Sequence, residues 1–125
     1  MKTLKINQFD KKDEEIADAL ISLGMSRNAA VTLAYMQNTN SATSIELERS
    51  TRLRQPEVSL AMRQLKEFNW ITEREEKKKL GKGRPYKIYS LKVGFNDIIA
   101  QLEKRQKEAV SEAQAKIERL REFKK

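Results

Sequence analysis

The amino-acid sequence predicts a mainly α-helical chain with one small β-hairpin and a long final helix. Three observations predict it. Two amphipathic helices joined by a turn of a few residues occupy the middle of the chain. Immediately after them the apolar period changes from 3.6 to that of extended chain, between Ile71 and Leu91. From about Val93 to Phe123 the sequence is helical, highly charged, and striped with apolar residues over a length that so small a domain cannot cover.

The stretch from Gln55 to Trp70, QPEVSLAMRQLKEFNW, organises the rest. Val58, Met62, Leu65 and Phe68 recur at i, i+4, i+7 and i+10 and share one face, with Ala61 beside them. Pro56 suits the first helical position, where a missing N–H leaves no orphan, and Gln55 takes the cap. Asn69 tolerates the left-handed conformation that ends helices. Upstream, Asp10 to Leu23 reads as a helix with Ile16, Leu20 and Leu23 inward, carboxylates in its first turn and Gly24 as its stop. Ser26 caps a second helix over 27–38 with Ala30, Val31, Leu33 and Ala34 inward. NTNSAT is a loop with a short strand near Ser41–Ala42. Thr43 and Glu46 have capping-box spacing and open a third helix to about Ser50, burying Ile45 and Leu47. A turn over 51–54, plugged by Leu53, leads into the central helix. A short helix, a turn and a longer helix in that order form a helix-turn-helix, whose second helix enters the DNA major groove. Two strands, 71–78 and 86–91, flank the basic hairpin KLGKGRP.

Composition removes several classes of function. The 125 residues make one domain, 10–91, with a helical appendage, 92–125. No cysteine and no histidine are present, which eliminates disulfides, thiolate or imidazole metal sites and the commonest general base. The expectation is a protein that is not an enzyme and needs no cofactor or metal. No apolar run spans a bilayer and the N-terminus lacks a signal-peptide core, so the expected location is the cytoplasm, with no membrane partner. Charge is uneven. Residues 1–48 carry a net −2, residues 49–91 a net +7 and residues 92–125 a net +3. A basic middle behind an acidic front points to a polyanion-binding face.

The final helix carries Phe95, Ile98, Ile99, Leu102, Ala109, Val110, Ala113, Ile117 and Leu120 along its stripe. An a/d seam runs through Phe95, Ile99, Leu102, Gln106, Ala109, Ala113, Lys116, Leu120 and Phe123; a second choice runs through Val110 and Ile117 with a four-residue stutter near Gln106. About 30 residues give about 45 Å of helix. Such a stripe implies a partner, most simply a second copy, and hence a homodimer through this helix.

The order of helices, basic hairpin and long helix resembles the small archaeal and bacterial regulators of the MarR and TrmB type, which have a winged helix-turn-helix fold. The resemblance covers roughly residues 15–91. LGMSRNAAVTLAYM is similar to the start of TrmB-like domains. IELERSTRLRQPEVSLAMRQLKEFNWI follows the pattern of their two DNA-binding helices, and GKGRPYKIYSL looks like their wing. The chain departs from the family at Arg52, where glycine is common in the turn, and at Glu48, where a small residue is usual. Nothing after Leu91 resembles the sugar-binding domain of larger TrmB-like proteins.

The resemblance implies a double-stranded DNA partner, a recognition helix over 55–69 in the major groove and a basic wing over 77–87 on the backbone and minor groove. Arg52, Arg54, Gln55, Ser59, Arg63 and Gln64 are candidates for base edges or adjacent phosphates, since Arg reads guanine and Gln reads adenine. Leu60 suits a thymine methyl group or a protein partner. Lys77, Lys78, Lys79, Lys82 and Lys87 suit phosphates, which position without specifying. Arg84, at the place of the usual wing arginine, suits a narrow minor groove. Two other classes stay open: an architectural chromatin protein, and a winged-helix module binding proteins of a transcription or replication assembly. No effector pocket is evident in the sequence.

Overall fold

The computed structural model describes residues 9–76 and 86–124. Five helices and three strands follow one another: α1 (Lys11–Ser22), α2 (Arg27–Thr39), β1 (Ser41–Thr43), α3 (Ser44–Thr51), α4 (Gln55–Glu67), β2 (Ile71–Glu76), β3 (Tyr86–Leu91) and α5 (Phe95–Glu122). The chain is mainly helical with a small antiparallel sheet and a long last helix, the architecture of a winged helix-turn-helix. It divides into two compact units, the first ending at Gly94 and the second beginning at Phe95.

The first unit is built around α2. Every residue from Ala29 to Met36 is buried, because α1, α3, α4, β1 and β3 all pack against this helix. Ser26 caps it, accepting from Ala29 N–H at 3.3 Å. In α1, Asp10 and Asp13 close a reciprocal capping box. Asp13 is 1% exposed, and Asn38, at the far end of α2, donates to its Oδ1 at 2.8 Å. The inward face of α1 is therefore Asp13, Ala17 and Leu20, while Leu23, expected inside, is the exposed C-cap. Gly24, at φ 102°, reverses the chain there.

The sheet has the order β1-β3-β2. β1 pairs Ser41–Thr43 with Ile88–Ser90, and β2 pairs Ile71–Glu76 with Tyr86–Leu91. The carbonyls of Asn40 and Trp70 accept from Leu91 N–H and Lys92 N–H, both at 2.7 Å, and so fasten the sheet to the helical layer. Trp70 is fully buried and its ring stacks on Phe68, with centroids 4.3 Å apart and planes at 12°. β3 spans the expected 86–91; of the expected strand 71–78, Lys77 and Lys78 lie outside the described residues, as does the whole loop to Pro85.

Two details of the helix-turn-helix differ from expectation. In α3, Leu47 is fully buried but Ile45 is exposed. Residues two positions apart on a helix, as Ile45 and Leu47 are, differ by about 200°, so an eight-residue helix with one buried face accommodates only one of them. The N-cap of α4 is Arg54 and not Gln55; Gln55 is the first helical residue and Pro56 the second. Glu57 decides this, because its Oε1 accepts from the Arg54 N–H at 2.8 Å and so supplies the cap one residue earlier.

Candidate nucleic-acid interface

The turn between α3 and α4 is held at Thr51, Arg52 and Arg54. Thr51 Oγ1 donates to the Leu47 carbonyl and accepts from Leu53 N–H at 3.3 Å. Arg52 follows at φ 61° and ψ 17°, a left-handed residue that ends α3. Arg54 returns to extended geometry and its carbonyl accepts from Val58 N–H at 2.9 Å, starting α4. Leu53, half-buried, lies between the helices.

α4 buries Val58, Ala61, Met62 and Leu65. At about 100° per residue, the positions opposite that face are Pro56, Leu60, Arg63 and Glu67, and all four are exposed. Gln55 and Ser59 run along one edge, joined by a hydrogen bond from Gln55 Nε2 to Ser59 Oγ at 2.9 Å. Gln64 runs along the other edge. Its Oε1 accepts from Ser26 Oγ, so this amide ties α4 to the cap of α2. Of the residues proposed to read bases, Leu60, Arg63, Gln55 and Ser59 thus share one outward surface. Gln64 is turned from it into a structural bond. Arg52 and Arg54 stand exposed in the turn that leads to the surface.

Charge around the sheet is more balanced than the sequence sum suggests. Glu73 on β2 receives Lys66 from α4 and, at 3.7 Å, Lys87 from β3. The hydrogen bond from Lys66 is the main reason that its carboxyl titrates below the ordinary 4.5. Partial burial opposes that shift, and the nearby charges of Lys66 and Lys87 add to it. Arg74 pairs with Glu76 at 2.8 Å, and Tyr86 Oη donates to the same carboxylate at 3.1 Å, which raises the phenol's pKa. Lys87 is therefore a cation with an internal partner. Lys77, Lys78, Lys79, Lys82 and Arg84 fall outside the described residues.

Four features escaped the sequence reading. Glu67 sits four residues after Arg63 on the outward face, which helical spacing reveals. The Lys66–Glu73 and Ser26–Gln64 pairs join separate elements, and no local signal marks them. A cleft of about 720 Å³ also opens beneath the turn, lined by Phe9, Asp18, Arg27, Val31, Arg52 and Glu57 among others. It mixes both signs of charge. Among the described residues no acidic cluster is suited to hold a metal ion, and no helix is long and apolar enough to cross a membrane.

In the second unit, α5 runs for 28 residues. Ile98, one of the expected stripe residues, is fully buried within the single chain; Phe95 and Leu102 are half-buried. Ile99 and every residue from 103 to 124 are exposed, including Ala109, Val110, Ala113, Ile117 and Leu120.

No family model and no curated protein matches the chain. Solved structures do. A possible transcriptional regulator from Methanosarcina mazei Go1 has a similar fold, with a TM-score of 0.60 at 18% sequence identity, over 90% of this chain and 88% of that one.

Proposed function

We propose that the chain is a sequence-specific regulator of transcription, of the MarR/TrmB-like type, that binds double-stranded DNA as a homodimer and carries out no catalysis. α4 would enter the major groove, and the hairpin between β2 and β3 would meet the backbone and minor groove. One observation carries the reading: the exposed Arg63, Leu60 and Gln55 and the half-buried Ser59 lie together on the outer side of the second helix of a helix-turn-helix, inside the segment of net +7. Arginine, an amide and an apolar side chain together match the donors, acceptors and methyl groups of the major groove, whereas a face that met only phosphates needs no amide. The name borne by the similar Methanosarcina protein agrees with this reading. The homodimer would form through α5, whose outer length is exposed in the single chain. The expected location is the cytoplasm.

The test is selection of bound duplexes from a random pool. Enrichment of one motif is the expected result. Binding without enrichment would mean an architectural chromatin protein, and no binding at low salt would leave a protein-binding module.

A further inference from the structure

We infer that α5 pairs with α5 of a second copy in the antiparallel sense, about a twofold axis at the Ala109–Val110 peptide. This rests on the homodimer reading above and assigns its orientation and register.

The warrant begins with exposure. Ile99 is 49% exposed, Val110 46%, Ile117 49% and Leu120 68%, all on α5. At about 100° per residue these four, with Leu102, Gln106, Ala109 and Ala113, fall within an arc of about 100°. Their positions read the same from either end. Ile99 mirrors Leu120, Leu102 mirrors Ile117, Gln106 mirrors Ala113, and Ala109 mirrors Val110. A second helix turned end for end therefore sets each of these eight residues opposite another of them, while Phe95 and Phe123 fall opposite Lys124 and Asn96.

Size and charge select the same arrangement. Antiparallel pairing sets Gln106 against Ala113 twice, long against short, and keeps branched aliphatic pairs at both ends. Parallel pairing would stack Gln106 on Gln106 and leave a thin layer of Ala113 on Ala113. Residues 94–103 carry two carboxylates and no cation, a net −2; residues 116–125 carry a net +3. Under the mirror relation these two segments face each other at both ends of the pair. A parallel pair would bring like ends together and align the two helix dipoles. The two Gly94 joints then lie about 45 Å apart, more than the roughly 34–36 Å of one DNA turn, which suits well-separated half-sites.

The chain has no cysteine, so single introduced cysteines report geometry without background. Ala109→Cys lies beside the twofold axis and is expected to cross-link to itself under mild oxidation. Leu120→Cys is expected to stay reduced alone, because its twin would be about 31 Å away. Mixed with Ile99→Cys, it is expected to form the mixed disulfide. Self-cross-linking of Leu120→Cys would overturn the proposal in favour of parallel helices. Cross-linking of Ala109→Cys without the mixed disulfide would overturn the register. If Ala109→Cys does not cross-link and the unmodified chain sediments at 14.5 kDa, the dimer itself fails, and the pairing with it.

Discussion

Arg52 holds a backbone conformation that glycine adopts more easily, and it does so beside the surface proposed to meet DNA. An L-residue in the left-handed region costs about 1–2 kcal/mol, and glycine's extra unfolded-state freedom returns about 0.5–1 kcal/mol of that. Arg52→Gly is therefore expected to raise stability by about 0.5–1 kcal/mol while weakening DNA binding, measured by denaturant unfolding and by titration of a selected duplex. A loss of both, or of neither, would show that Arg52 matters to the turn in another way. Arg63 is expected to behave differently. Arg63→Ala should cost ~1–3 kcal/mol at one base position and relax preference there. Equal losses on selected and scrambled duplexes would remove Arg63 from base reading. Glu73 provides a pH signature. Its carboxyl titrates lower when folded than unfolded, so its contribution to stability is complete above 4.5 and is lost as pH falls through the depressed value. In Glu73→Gln, thermal unfolding followed downward from neutral pH should lose that part of the acid destabilisation; an unchanged profile would mean that Lys66 and Lys87 do not hold the carboxylate in solution.

At the scale of elements, α3 and α4 show how a helix-turn-helix divides its apolar residues between folding and presentation. Leu65 is fully buried among the residues facing α2, so Leu65→Ala should destabilise by about 2–5 kcal/mol. Ile45 is exposed on α3, and Ile45→Ala should change stability by no more than about 0.5 kcal/mol. Urea unfolding of the two variants checks the assignment, and similar costs would contradict the burial described. The Ser26–Gln64 bond explains why α4 holds its rotational setting: it fixes one edge of the helix to the cap of α2. The opposite edge is fixed by Lys66 on Glu73. With both edges tied, Leu60 and Arg63 are left pointing outward from a helix with little freedom to roll.

For the whole molecule, the distribution of charge sets how binding would respond to salt. Several cations in the +7 segment already have internal partners, Lys66, Arg74 and Lys87 among them. The remaining cations of two copies are enough for ~6–10 phosphate contacts, so affinity should fall by ~10³–10⁵ between 50 and 200 mM salt. A flat response would refute the DNA reading as a whole. Dimerisation is expected to be separable from folding of the first unit. Val110→Glu puts a charge in the middle of the exposed stripe of α5, and its sedimentation should change from twice the chain mass to 14.5 kDa without loss of the helical signal.

The local features of this protein were legible in its sequence because their causes are local. Ser26 and Thr43 cap helices through bonds to N–H groups three residues on. Asn69 ends its helical segment at φ 64°. The buried face of α4 and the stripe of α5 follow from spacing along one helix. The name of the fold came from the order of these pieces, read through resemblance. Tertiary structure decided what depends on distant partners. The strand at Ser41–Thr43 exists because Ile88–Ser90 offers it an edge, and a three-residue strand has no stability of its own. Leu47 and not Ile45 is inside because the neighbours of α3 cover one side of it. α4 begins at Arg54's cap because Glu57 reaches back to it. Gln64 and Lys87, which as sequence look like groups awaiting DNA, bond to Ser26 and Glu73. Which polar groups are paired within the chain is settled by long-range contacts, and side-chain type and helical period carry no record of it.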